Sequence, residues 1–216
     1  MSSLFPALTD GGGPAAGRPA LRFGERSLTY GELAAAAGPV AGAVREARRV
    51  AVWATPTLET AVAVTAALLA GVTVVPLNPK SGATELDHIL SDSTPDLVLT
   101  APGQDLPEAL GGLARLDVDP ADRAPGTLPE GRADDEDPAL VVYTSGTTGP
   151  PKGAVIPVAR SPPPWTRSPT PGSGPVTTSS STGSRCSMYT GWSWASWARC
   201  AAAVRCATSA GSPPRG

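Results

Sequence analysis

The sequence predicts an α/β fold in which βαβ units build a parallel sheet covered by helices, followed by a disordered tail. Three observations carry that reading. Short apolar runs of strand length alternate with segments of helical length between residues 20 and 143. The connections between them are short, as crossovers in an α/β sheet are. After Pro157 the composition changes abruptly to one that cannot build a core.

The bulk charge of −2 averages two unlike parts. Residues 1–157 hold all 19 acidic residues against 11 basic ones, a formal −8, whereas residues 158–216 carry six arginines, no acid and no lysine, a formal +6. The first part has 19 leucines and the second has no Leu, Ile, Phe, Asn, Gln or His. Ordering a residue costs about 1–2 kcal/mol of conformational entropy, and a chain of Ser, Thr, Pro, Gly and Ala has too little apolar surface to offset it. The expected organisation is a flexible arm at 1–19, a folded part at 20–157 and a disordered tail at 158–216. A two-domain globular protein is excluded.

Within the folded part, Ala20 to Phe23 and Ser27 to Thr29 flank the turn Gly24-Glu25-Arg26 and read as a hairpin-like pair. Thr29 and Glu32 have capping-box spacing, so a helix is expected from Tyr30 to about Ala47, with a possible kink at Gly38-Pro39. Arg49 to Ala54 reads as a strand, Leu58 to Ala70 as a helix closed by Gly71, and Val72 to Pro76 as the next strand. Helix Ala83 to Ser91 and strand Asp96 to Leu99 follow, with a further strand near Leu113 to Val118 in an otherwise acidic, loop-rich stretch. Ala139 to Tyr143 is a strand of the buried type.

Met1 to Pro6 lacks the basic start and apolar run of a signal peptide, and the longest apolar stretch, Ala61 to Ala70, is far short of the ~20 residues of a membrane span. The cytoplasm is the expected compartment and no membrane the expected partner. Cys186, Cys200 and Cys206 match no zinc spacing, and their odd number opposes a disulfide framework. His88, the only histidine, reads as a surface or satisfied side chain, and Asp134-Asp135-Glu136-Asp137 as a solvated loop with no metal. The tail tryptophans 192, 194 and 197 and arginines 185, 199 and 205 form no regular stacking platform, so nucleic acid is not an expected partner.

The chemistry concentrates in Tyr143-Thr144-Ser145-Gly146-Thr147-Thr148-Gly149-Pro150-Pro151-Lys152-Gly153, directly after the last apolar strand. Gly146 and Gly149 let the backbone turn and approach a ligand, so that its N–H groups form an anion-binding concavity. Hydroxyls of Thr144, Ser145, Thr147 and Thr148 add neutral donors, and Lys152 adds a positive charge. Such a loop suits a triphosphate. The alternative phosphate loop, Gly-x4-Gly-Lys-Ser/Thr, fails at Pro151 and Gly153, and no Gly-x-Gly-x-x-Gly follows the first strand.

This segment resembles the phosphate-loop signature of adenylate-forming enzymes, the superfamily of acyl-CoA synthetases, luciferases and nonribosomal adenylation domains. Leu28-Thr29-Tyr30-Gly31-Glu32-Leu33 and Leu69 to Pro79 resemble earlier motifs of the same superfamily in the same order. Arg22 to Glu32 and Val74 to Gly82 are most similar to the malonyl-CoA synthetase branch. The resemblance implies the N-terminal part of the AMP-binding domain of a ligase that joins a carboxylate to coenzyme A by way of an acyl-adenylate. It implies ATP, Mg²⁺ and coenzyme A as cofactors, with ATP phosphates held by Thr144, Ser145, Gly146, Thr147, Thr148, Gly149 and Lys152. No catalytic residue and no metal ligand is assigned to this chain, because the family's acyl pocket, adenine site and catalytic lysine come from later sequence.

A shifted reading frame is the expected origin of the tail, the alternative being a genuine disordered segment. Back-translated with GC-rich codons and read one frame over, Arg185 to Trp194 give Pro-Leu-Phe-His-Val-His-Gly-Leu-Val-Leu, which resembles the family's next motif. A TGG codon after a codon ending in C becomes CTG, which accounts for a tail rich in Trp and void of Leu. The expected protein is therefore an inactive N-terminal fragment of an acyl-CoA synthetase, marginal in stability because its sheet lacks later cover. Two alternatives stay open: a non-catalytic nucleotide-phosphate-binding module, and an interaction protein with a basic tail.

Overall fold

The computed structural model describes residues 8, 13, 16–123, 137–144 and 150–158. All of them belong to the unit Met1–Ser161. The tail beyond 158, with its cysteines, tryptophans and expected disorder, lies outside the described residues, as do the acidic residues 134–136.

The chain opens with an antiparallel hairpin of β1 (Pro19–Phe23) and β2 (Arg26–Thr29), turned at Gly24 with a left-handed φ of 59°. Helix α1 (Tyr30–Val44) follows, and its capping box forms as expected: Glu32 N–H donates to Thr29 Oγ1 at 3.2 Å, and Thr29 N–H donates to Glu32 Oε2 at 2.9 Å. The helix runs through Pro39 and ends at Val44, three residues short of the expected Ala47. There Ala47 N–H turns back to the Val44 carbonyl at 2.9 Å and closes a tighter turn. The carbonyls of Ala16 and Arg18 accept from Gly31 and Tyr30, tying the chain before β1 to the start of α1.

Among the described residues a six-stranded sheet forms the body, in the order β6-β5-β3-β4-β7-β8. Its strands are β3 (Arg49–Trp53), β4 (Thr73–Leu77), β5 (Leu97–Thr100), β6 (Ala114–Asp117), β7 (Pro138–Thr144) and β8 (Lys152–Pro157). Strands β3 to β7 pair in parallel, as the βαβ reading requires. Strand β8 departs from it, returning antiparallel to β7.

Helix α2 (Leu58–Leu69) is buried almost all round because it lies between the sheet and α1. It starts on Thr57, which accepts from Thr60 N–H, and stops in a Schellman turn at Gly71. There Gly71 N–H reaches the Leu68 carbonyl and Val72 N–H the Ala67 carbonyl, a closure that needs the φ of 72° glycine provides. Helix α3 (Ala83–Ser93) packs Leu86 and Ile89 against Ala51, Trp53, Val75, Leu77 and Val98, while the alternate residues Val50, Val52 and Val74 are equally buried. The central strands are thus covered on both faces, as parallel strands require. Cover thins toward β8, where Val155 is 61 % exposed.

Candidate functional site

Parallel strands present their carboxyl ends on one edge, and ligands of open α/β sheets bind outside that edge. Strand β7 runs parallel to β4, with Val74 opposite Leu140, so Thr144 emerges on the same edge as the turns after β3 and β4. The segment singled out from the sequence is the connection of the β7–β8 hairpin. Lys152 opens β8 instead of lying in the loop, and it pairs directly across from Thr144. Both residues are exposed, so a hydroxyl and an ammonium side chain occupy paired positions at the mouth of the connection. Ser145, Gly146, Thr147, Thr148 and Gly149 lie outside the described residues.

Three contacts beneath this mouth were not legible as a site in the sequence. His88 Nε2 lies 3.0 Å from the Pro151 carbonyl oxygen, so the lone histidine is satisfied, and by the hairpin. The Tyr143 hydroxyl donates to Asp92 Oδ2 at 2.5 Å. Burial, then the bond to and charge of Asp92, push that hydroxyl up to about 12, so it stays protonated and donates at neutral pH. Gly153 leaves room for the Tyr143 ring, which a Cβ at residue 153 would meet at 3.1 Å. The helix runs to Ser93, two residues beyond the expected Ser91, and so carries Asp92 one turn past His88.

Elsewhere the described residues offer less. A shallow depression of about 210 Å³ is lined in part by Arg26 and Arg123, but each is already neutralised, Arg26 by Glu59 at 2.8 Å and Arg123 by Glu32 at 2.8 Å. Among the described residues no group of three His, Cys, Asp or Glu side chains could hold a metal, and no helix is long and apolar enough to cross a membrane.

A parallel sheet covered on both faces at its centre, with Thr144 and Lys152 paired at its carboxyl edge, defines an open α/β protein. The chain belongs to the AMP-binding enzyme family, whose pattern it matches over residues 12–161. It is 70 % identical to a malonyl-CoA ligase whose structure holds methylmalonyl-CoA and AMP, with a TM-score of 0.66 over 71 % of this chain and 33 % of the ligase. O-succinylbenzoate coenzyme A synthetase from Bacillus subtilis, in complex with AMP, aligns at 30 % identity and a TM-score of 0.57 over 68 % of this chain and 40 % of that one. Feruloyl-CoA synthase from Amycolatopsis sp is 38 % identical over 152 residues, covering 63 % of this chain and 30 % of the synthase. Surfactin synthase subunit 1 of Bacillus subtilis (strain 168) is 35 % identical over 154 residues, covering 64 % of this chain and 4 % of that subunit. The chain therefore spans about a third of the single-enzyme relatives it matches and a few per cent of the multidomain one.

Proposed function

We propose that residues 20–157 are the phosphate-loop part of an ATP-dependent acyl-CoA synthetase of malonate type, which converts a carboxylate, ATP and coenzyme A to acyl-CoA, AMP and pyrophosphate. The supporting observation is the 70 % identity to malonyl-CoA ligase together with Thr144 and Lys152 facing each other at the carboxyl edge of the sheet. In this reading Thr144, Ser145, Gly146, Thr147, Thr148, Gly149 and Lys152 bind the ATP phosphates. Their role is to orient the triphosphate and to stabilise charge on the departing pyrophosphate, with no covalent step of their own. Mg²⁺ would arrive on the phosphate oxygens, since it commonly keeps substrate phosphates as ligands.

We read residues 158–216 as out of frame, supported by the break in composition after Pro157. The chain alone is then not expected to turn over, because phosphate contacts supply only part of the transition-state stabilisation. This reading places the protein in the cytoplasm, a compartment that supplies both ATP and coenzyme A. The test is malonate-dependent ATP–pyrophosphate exchange by the purified chain. No exchange above a Lys152→Ala control is expected, and measurable exchange would overturn the inactivity. Sequencing the gene across the codons for Ile156 to Arg160 tests the frame: one missing nucleotide is expected, and a stop codon soon after its restoration would sink that account.

A further inference from the structure

We propose that α3 positions the paired ends of the β7–β8 hairpin: His88 and Asp92, one helical turn apart, hold its two arms and so set Lys152 opposite Thr144, an inference that rests on the phosphate-binding reading above.

The need for such a hold follows from how β7 joins the sheet. Its registered partner on β4 is Val74 opposite Leu140, and Thr73 Oγ1 donates to the Pro138 carbonyl at 2.8 Å. Both ties sit in the first half of β7. Toward Thr144, the polar side-chain contacts among the described residues come from α3. Without them the far end of the hairpin would be joined to the body mainly by the partly buried Val141 and Tyr143.

The two contacts act on the residues that matter. A carbonyl oxygen only accepts, so His88 Nε2 carries the proton in its contact with Pro151. The Pro151 carbonyl and the Lys152 N–H belong to one planar peptide unit, so fixing one end fixes the direction of the other. On the opposite arm, Tyr143 immediately precedes Thr144, and its ring spans from Gly153 on β8 to Asp92 on α3. Side chains four apart on a helix share a face, which lets one helix reach both arms at once. No hydrogen bond or ion pair joins His88 or Asp92 to Thr144 or Lys152, and they act through Pro151 and Tyr143.

The experiment compares the full chain with its His88→Phe and His88→Gln variants, Gln retaining a donor where Phe has none. Amide hydrogen exchange and the dissociation constant for Mg-ATP are measured on each. His88→Phe is expected to speed exchange at Thr144, Lys152 and Gly153 by about tenfold while leaving β3 and β4 unchanged, with most of the protection restored in His88→Gln. A rise of about fivefold in the Mg-ATP dissociation constant should follow the same pattern across the three proteins. Unchanged exchange at these amides in His88→Phe would overturn the proposal, as would a uniform increase across the sheet or no rescue by Gln. Local loosening with rescue, in a chain that shows no Mg-ATP binding in any form, would uphold the hold by α3 and overturn the phosphate reading instead.

Discussion

The ring of Tyr143 lies over Gly153 on the adjacent strand, so closely that a Cβ on residue 153 would stand 3.1 Å from the ring and 3.1 Å from a methyl of Val141. An alanine there forces both side chains to shift within a packed surface. Gly153→Ala is therefore expected to cost about 1–2 kcal/mol in urea unfolding, the usual penalty for overpacking. It should also draw the Tyr143 hydroxyl away from Asp92. Loss of no more than a few tenths of a kcal/mol would show that the ring is free to move.

Thr94 ends α3 in the left-handed region, at φ 42° and ψ 62°, donating its N–H to the Leu90 carbonyl at 2.9 Å. A β-branched side chain in that conformation crowds its own backbone, at a cost of roughly 1–2 kcal/mol that glycine avoids. Glycine also has more freedom to lose on folding, so the net gain expected for Thr94→Gly is about 0.5–1 kcal/mol. Thr94→Ala keeps the Cβ and should gain little. Equal stability of the Gly and Ala variants would remove the strain argument.

What the sequence made legible was local or repetitive. The capping box of Thr29 and Glu32 needs only residues three apart, and the strands β3 and β4 announce themselves as apolar runs because both faces are buried. Strand β8 carried no such mark. Its residues Lys152 to Val155 are exposed, and Pro150, Pro151 and Gly153 read as loop chemistry, so only pairing with β7 makes them a strand. The site divides the same way. Its composition was plain in a run of glycines and hydroxyls, whereas the contact of His88 with Pro151 joins residues 63 apart and exists only once α3 and the hairpin have packed.

Asp96 ties the start of β5 to the start of β3, its Oδ2 accepting from Arg48 N–H at 2.7 Å and Arg49 N–H at 3.1 Å. Those bonds, Arg49's first and Arg48's second, hold the carboxyl below its usual range against a smaller opposing effect of burial. A depressed carboxyl contributes stability that is fully present above its unfolded pKa of about 3.9 and is lost as pH falls through the folded value. Because the group is exposed, screening limits the contribution to about 1 kcal/mol. Asp96→Ala should thus be less stable than the parent by about that amount at pH 7, with the gap closing below pH ~4. A gap independent of pH would assign the loss to packing.

Stability should fall from the middle of the sheet to its β8 edge, and hydrogen exchange can read that gradient strand by strand. In β3 and β4, Val50 and Val74 are 0 % exposed and Val52 is 1 % exposed, with α3 on one face and further buried residues on the other. Their ladder opens only when the whole body unfolds, which places their amides at the slow limit. Among the described residues strand β8 has one partner, β7, and it carries four consecutive exposed residues from Lys152 to Val155. An edge so placed can separate without disturbing the core, so its paired amides are expected to exchange at least about 100-fold faster than those of Val50 and Val74. Among the described residues nothing pairs with the outer edge of β8 beside the exposed Val155, a surface prone to pairing between copies of the chain. Val155→Lys should raise the concentration at which the chain begins to aggregate, measured by light scattering, without slowing exchange in β8. Equal protection of β8 and β3 would mean that the edge is covered, and the charge at residue 155 would then destabilise the chain instead of keeping it dispersed.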